Sequence, residues 1–204
     1  KNYPASLTKI MTLFMTFEAL KTGKLKLKQK LPVSRVAEGR SPSKLGLRRG
    51  ETITVDHAIK ALVTKSANDV ATVLAEAMGG TERKFAVLMT KRARSLGMKD
   101  TTFKNASGLP NRGQLSTARD MAILARAVLY GHPKMYHHFS RKSFKYKGST
   151  YKSHNRLMSR YQGMDGIKTG YIRASGFNLV ASARRDGKRV IAVVFGGKTP
   201  KTRD

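Results

Sequence analysis

The chain holds 204 residues, 40% of them hydrophobic, enough to bury a substantial core and too apolar for a disordered tail. Cysteine is absent, which excludes disulfides, thiolate metal sites and a cysteine nucleophile. Lys and Arg number 41 against 12 Asp and Glu, a formal net charge of +29 that suits nucleic acid, anionic lipid or an acidic wall polymer. The cations are scattered, and no zinc-finger spacing or RNP-type stretch is present, which argues against nucleic acid. No stretch approaches the roughly 18 consecutive apolar residues of a membrane span. No charged-then-apolar leader is read before the first helix, so a soluble chain is expected.

From Ser6 to Thr22 the residues Leu7, Ile10, Met11, Leu13, Phe14, Phe17 and Leu20 wrap every side, which predicts a buried helix closed by Gly23. Residues 24–55 carry Pro32, Gly39, Pro42, Gly46 and Gly50 among short strand-like runs and read as a loop-rich excursion. Helical periodicity returns in TVDHAIKALVTKSANDVATVLAEAMGG, ended by Gly79 and Gly80, and in TERKFAVLMTKRARSLG, with Thr81 as N-cap and Gly97 as stop. STARDMAILARAVLYG is a further helix, capped by Ser116 or Thr117, with Asp120 in its first turn. The period then changes. KSFKYKG, YKSHNRLM and GFNLVASARRDGKRVIAVVFGG alternate, and Asp186-Gly187 between two β-branched runs predicts a hairpin. Helices over about 56–131 and strands over about 140–197 predict one α+β domain spanning 1–204, a helical cluster packed on an antiparallel sheet.

PASLTKIMT, residues 4–12, places Ser6 and Lys9 three apart at the head of the first helix. Side chains at i and i+3 share a helix face, which brings the ammonium within reach of the hydroxyl. If burial lowers the lysine pKa, the neutral amine can take the serine proton, and a nucleophile arises without histidine. The tetrad alone is equally compatible with Ser6 as an N-cap and Lys9 as a solvated first-turn residue. It also recurs at Ser41–Lys44 and Ser149–Lys152, in Gly/Pro-rich or strand-like surroundings where the side chains are expected to diverge.

Two further motifs break the tie. SAND supplies Ser66 and Asn68 in an S-x-N pattern, and GIKTGY supplies Lys168, Thr169 and Gly170 in K-T-G. A second K-T-G, Lys21-Thr22-Gly23, closes the first helix, where Gly serves as a C-cap, and Ser153-His154-Asn155 is a second S-x-N. Only Ser6, Ser66 and Lys168 put the three motifs in order, at a helix start, an interhelical turn and a strand. His57, His132, His137, His138 and His154 form no H-x-x-x-H or H-E-x-x-H spacing and read as bland, and the Met residues read as core fill.

PASLTKIMT, SANDVA, NASGLP, TARDMA, GMDGIKTGY and GFNLVASARRDGKRVIAVVFGG together make the chain similar to the serine D-alanyl-D-alanine carboxypeptidases. These are the low-molecular-mass penicillin-binding proteins of bacterial cell-wall metabolism, relatives of the β-lactamases, and the similarity runs from Pro4 to Asp204. The resemblance implies a β-lactamase/transpeptidase-like fold, no cofactor and no metal, and an exported, periplasmic or cell-envelope protein whose export signal is not among these residues. It implies peptidoglycan stem peptides ending in D-Ala-D-Ala as substrate and β-lactam antibiotics as covalent ligands. An anionic wall or membrane surface is a further expected partner, and nucleic acid is not.

Residue by residue, the resemblance implies that Ser6 attacks the D-Ala-D-Ala carbonyl with Lys9 as general base. Ser66 joins the proton relay toward the leaving amine, and Asn68 holds Lys9 and the substrate backbone. Lys168 keeps Lys9 neutral by like-charge repulsion and draws in the substrate carboxylate. Thr169 binds that carboxylate, Gly170 lets the substrate backbone lie close, and the N–H groups of Ser6 and Tyr171 form the oxyanion hole. Arg203 matches an arginine near the carboxylate, suited to a bidentate grip; the other reading is a solvated tail residue. Asn155 resembles a supporting position behind the site.

The chain also departs from the pattern. Only five residues precede Ser6, so the strands that relatives place before the nucleophile are expected to be missing from the sheet. The β-rich domain and amphipathic membrane helix that many relatives add are likewise not in the sequence. Ile172 replaces the usual Thr after KTGY. Two alternatives stand beside the carboxypeptidase. A β-lactamase needs a deacylating carboxylate, and Glu38, Glu51, Glu76 and Glu82 lie outside the ExxLN context. A non-catalytic basic wall-binding protein needs only the charge.

Overall fold

The apolar girdle at the start of the chain forms the centre of the molecule. In the computed structural model, which describes residues 1–204, a 3-10 turn at Ala5–Leu7 runs into helix α1, Thr8–Lys21, buried without a break from Thr8 to Phe14. Because α1 is enclosed on every side, its polar groups find partners inside: the Thr12 hydroxyl donates to the Ala106 carbonyl at 2.7 Å. The loop-rich excursion contributes strand β1, Lys30–Pro32, the short helix α2, Arg35–Glu38, and strand β2, Thr52–Thr54, with β1 and β2 antiparallel.

The long periodic run divides into two helices, α3, Val55–Thr64, and α4, Asn68–Gly79. The break falls at Ser66, whose φ of 60° is incompatible with a continuing helix. It is imposed from outside the run, because the Asn68 N–H bonds to the Ser43 carbonyl at 2.7 Å. Helix α5, Glu82–Ser95, is capped by the Thr81 side chain, and α6, Ala118–Gly131, by Thr117. Ser116, the other candidate cap, instead shares a hydroxyl contact with Thr101 at 2.8 Å and pairs its backbone with Asn2. A short α7, Pro133–Tyr136, follows.

The strands come last. Strands β3, Ser143–Tyr146, and β4, Ser149–Lys152, form a hairpin. The alternation read through YKSHNRLM ends at Lys152, and Arg156–Ser159 is a 3-10 turn. Here Ser153 N–H closes the hairpin onto the Lys142 carbonyl at 2.7 Å, and the Asn155 amide turns inward to the Gly166 carbonyl at 3.4 Å. Strands β5, Met164–Ile172, β6, Gly176–Arg185, and β7, Lys188–Gly197, make an antiparallel sheet in that order. Asp186 and Gly187 both take positive φ, 49° and 73°, as a two-residue hairpin turn requires. Helix α8, Pro200–Arg203, closes the chain on a Thr199 capping box.

The fold is α+β. One apolar cluster runs from Leu7 through the helices to Ile167 of β5 and Val180 of β6, so α1 joins the helical and sheet parts. No helix is long and apolar enough to cross a membrane.

Candidate active site

Ser6 lies in the turn ahead of α1, and neither that turn nor α1 has a side-chain cap, so Ser6 is not spent on capping. The turn is strained and clamped. Ala5 holds φ 48°, a conformation costing of order 1–3 kcal/mol for a residue with a side chain. Gly108 of the NASGLP stretch, at φ 88°, presses so close that a Cβ there would stand 1.8 Å from the Ala5 carbonyl oxygen. On the other side a Cβ at Gly170 would stand 3.0 Å from Ser6 N and 3.2 Å from the Pro4 carbonyl oxygen. Gly170 is thus required first by the packing of β5 against the serine turn.

Lys9 is fully buried. Its Nζ lies 3.1 Å from Ser6 Oγ, 2.8 Å from Asn68 Oδ1 and 2.6 Å from the Ser107 carbonyl oxygen. Desolvation, and after it repulsion from Lys168, hold its pKa well below the ordinary lysine value. A solvated first-turn lysine is not what the molecule contains.

Ser66 and Asn68 do not cap α4 either, since its N-cap is Ala67. The Ser66 hydroxyl is buried without a hydrogen-bond partner, and Asn68 spends its oxygen on Lys9 and its amide on the Ser41 carbonyl at 3.2 Å. Asp69 beside it receives the backbone N–H groups of Leu45, Gly46 and Leu47 at 2.9–3.1 Å, which fixes the loop that carries Ser43. Glu82 does the same for the opposite wall, accepting from Ala106 N–H at 3.1 Å while paired with Arg40.

Lys168 is only 2% exposed, and its ammonium donates to the Thr169 carbonyl at 3.0 Å. Burial, then repulsion from Arg203, lowers its pKa to about 7. Thr169, Gly170, Tyr171 and Arg203 line a cleft of ≈ 260 Å³ together with Ser6 and Ser66. Lys9, Asn68 and Lys168 lie behind that wall. Arg203 is buried and tethered through its guanidinium to Asp204, unlike a solvated tail arginine. Tyr171 is half exposed, with its ring tilted against Phe177 at 4.4 Å between centroids. Asn155 sits behind β5.

Sequence reasoning missed four contributors. Ser43, His154 and Phe177 line the cleft, and the Ser107 carbonyl holds Lys9. His154, read as bland, has its pKa pushed down to about 4, first by burial and then by Lys168, Lys65, Lys9 and Arg203. A visible signal was its neighbour: His154 sits one residue before Asn155. A second cavity, ≈ 850 Å³, opens at the far end of α1 and holds neither serine nor buried lysine.

The family model for D-alanyl-D-alanine carboxypeptidase, peptidase S11, matches residues 1–199. The chain belongs to this family. The D-alanyl-D-alanine carboxypeptidase DacF of Bacillus subtilis is 40% identical over 98% of the chain and 53% of its own length. Penicillin binding protein 5 of Haemophilus influenzae shares the fold with a TM-score of 0.94 at 34% identity, over 98% of this chain and 60% of that one. Penicillin-binding protein D2 of Listeria monocytogenes, solved in its ampicillin-bound form, gives a TM-score of 0.89 at 34% identity, over 99% and 83% of the two chains. The chain spans about half the length of the carboxypeptidase sequences it matches, DacF and the Escherichia coli DacC among them.

Proposed function

We propose that the chain carries the catalytic machinery of a serine D,D-carboxypeptidase that removes the terminal D-Ala from peptidoglycan stem peptides. The observation that carries this reading is the environment of Lys9. A neutral amine has two hydrogens and one lone pair. Asn68 Oδ1 and the Ser107 carbonyl take the two hydrogens, which leaves the lone pair for the Ser6 hydroxyl at 3.1 Å. Ser6 Oγ then attacks the carbonyl carbon of the D-Ala-D-Ala bond as its proton moves to Lys9. The unpartnered Ser66 hydroxyl relays a proton to the leaving amine, D-Ala departs, and an acyl-enzyme remains on Ser6. Water, deprotonated by the same amine, attacks that ester and releases the shortened peptide and free Ser6.

The N–H groups of Ser6 and Tyr171, on the two backbone segments that Gly170 brings together, receive the developing oxyanion; one such donor is typically worth about 10²–10³ in rate. Thr169 and Arg203, which line the cleft, receive the substrate carboxylate, and Lys168 behind them adds positive charge that draws it in. A β-lactam presents a strained amide to the same serine, so covalent capture follows. The cleft lining contains no carboxylate to speed deacylation, which favours a persistent adduct over β-lactamase turnover. Such a substrate lies outside the cytoplasm, and the reading makes this an exported protein.

The test is release of D-Ala from a stem pentapeptide ending in D-Ala-D-Ala, followed by amino-acid analysis, for the chain and for Ser6→Ala. Release by the chain and none by the variant is expected. Equal release by both, or none by either alongside β-lactam hydrolysis, overturns the reading.

A further inference from the structure

The ≈ 850 Å³ cavity opens between the last turns of α1, α4, α5 and α6, with walls that include Met15, Met78, Leu88 and Leu96. Phe14 and His132 meet edge to face at its base, 5.1 Å between centroids. Its size lies within the roughly 300–1,000 Å³ of pockets that enclose small ligands, and its lining is mostly apolar.

The rim is cationic. Lys21, Lys24 and Arg126 line the opening and have no carboxylate partner, while Glu18, the one acid in the lining, is taken by Arg92 at 2.6 Å. The carbonyl ends of α1, α4, α5 and α6 converge here and carry roughly half a negative charge each, so the three cations without a carboxylate partner exceed them by about one and a half times. Lys26, Lys28 and Lys30, all exposed, extend the positive field along the chain beyond Lys24. An apolar cavity under such a rim discriminates doubly: a hydrophilic anion leaves the walls unfilled, and a neutral chain leaves the cations unanswered.

We infer that this cavity binds an anionic single-chain amphiphile, an alkyl or prenyl chain ending in a phosphate or carboxylate. The chain lies among Met15, Met78, Leu88 and Leu96, and the head meets Lys21, Lys24 and Arg126. This site is separate from the Ser6 cleft and does not depend on the reading of that cleft.

The test is isothermal titration of the chain with dodecyl phosphate held below its aggregation concentration, beside dodecyl maltoside and inorganic phosphate. One saturable site is expected, at least about tenfold tighter for dodecyl phosphate than for either control. The double swap Lys24→Glu with Arg126→Glu, on the surface, and the cavity-filling Met78→Trp should each weaken it at least about tenfold. Acylation of Ser6 by benzylpenicillin should be unchanged in both. The inference fails if the neutral chain binds as well, or if many equivalents bind and the charge swap leaves them unchanged. It also fails if prior acylation of Ser6 removes binding, or if phosphatidylglycerol vesicles bind while the monomeric probe does not.

Discussion

The tripeptide Lys-Thr-Gly occurs twice, and its two copies share nothing beyond composition. Lys21-Thr22-Gly23 ends α1 in solvent, where a Cβ on Gly23 would meet nothing within 4 Å. Lys168-Thr169-Gly170 lies on β5 against the serine turn, with its lysine buried and its glycine in contact with Pro4, Ala5 and Ser6. The same contrast separates Ser6–Lys9 from Ser149–Lys152, whose serine and lysine are both exposed on a strand. Burial and backbone context, rather than the letters, confer the chemistry: a lysine must be desolvated before it can act as a base near neutral pH.

Substitutions can break this contrast, and the largest effect is expected at Lys9. Lys9→Arg keeps a cation but cannot lose its proton, so benzylpenicillin acylation, followed by stopped-flow or mass spectrometry, should fall about 10³-fold. Lys152→Arg should leave it unchanged. Lys168→Gln removes the positive charge behind the cleft wall while keeping an N–H donor, and should slow acylation about 10²-fold, whereas Lys21→Gln should change it less than about twofold. For the two glycines, Gly170→Ala forces β5 away from Ser6 N and should lower both acylation and Tm. Gly23→Ala, at φ 75° in open space, should cost only about 1 kcal/mol of stability, measured by urea unfolding, and no activity.

A further contrast concerns pH. Lys168 titrates at about 7 in the folded chain against an ordinary 10.5, so between those values the unfolded chain binds more protons. Stability contributed by this group therefore rises as pH climbs from about 7 toward 10.5, and the full penalty is present below 7. Lys9 acts in the same direction. Urea midpoints between about pH 7 and pH 9.5 should show a shallower rise for Lys168→Met than for the parent, and an unaltered rise for Lys21→Met.

Much of this was legible in the residues. Asp186-Gly187 named the hairpin because few residues tolerate two positive φ angles in succession, and Thr81 and Gly97 bounded α5 because caps act locally. Ser6, Ser66, Asn68 and Lys168 converge as their order suggested. What stayed hidden depends on distant partners. The interhelical turn read at Ser66 is present, but its partner, the Ser43 carbonyl, is not visible in the run itself, and the third contact of Lys9 comes from the carbonyl of Ser107, which no side-chain pattern reveals. Gly108 and Gly170 look like ordinary loop and strand glycines until their separation from Ala5 and Ser6 is known. His154 enters the cleft because the strand ends at Lys152, whereas alternation alone predicted that it would continue.

The most direct measurement is intact-mass spectrometry of the chain with and without benzylpenicillin, repeated on Ser6→Ala and followed by peptide mapping. A single stable adduct on the peptide containing Ser6, lost in the variant, is the predicted result. An adduct that survives Ser6→Ala would contradict the assignment of Ser6 and its buried lysine as the reactive pair, and drug hydrolysed with no adduct at all would contradict the slow deacylation expected of a carboxypeptidase.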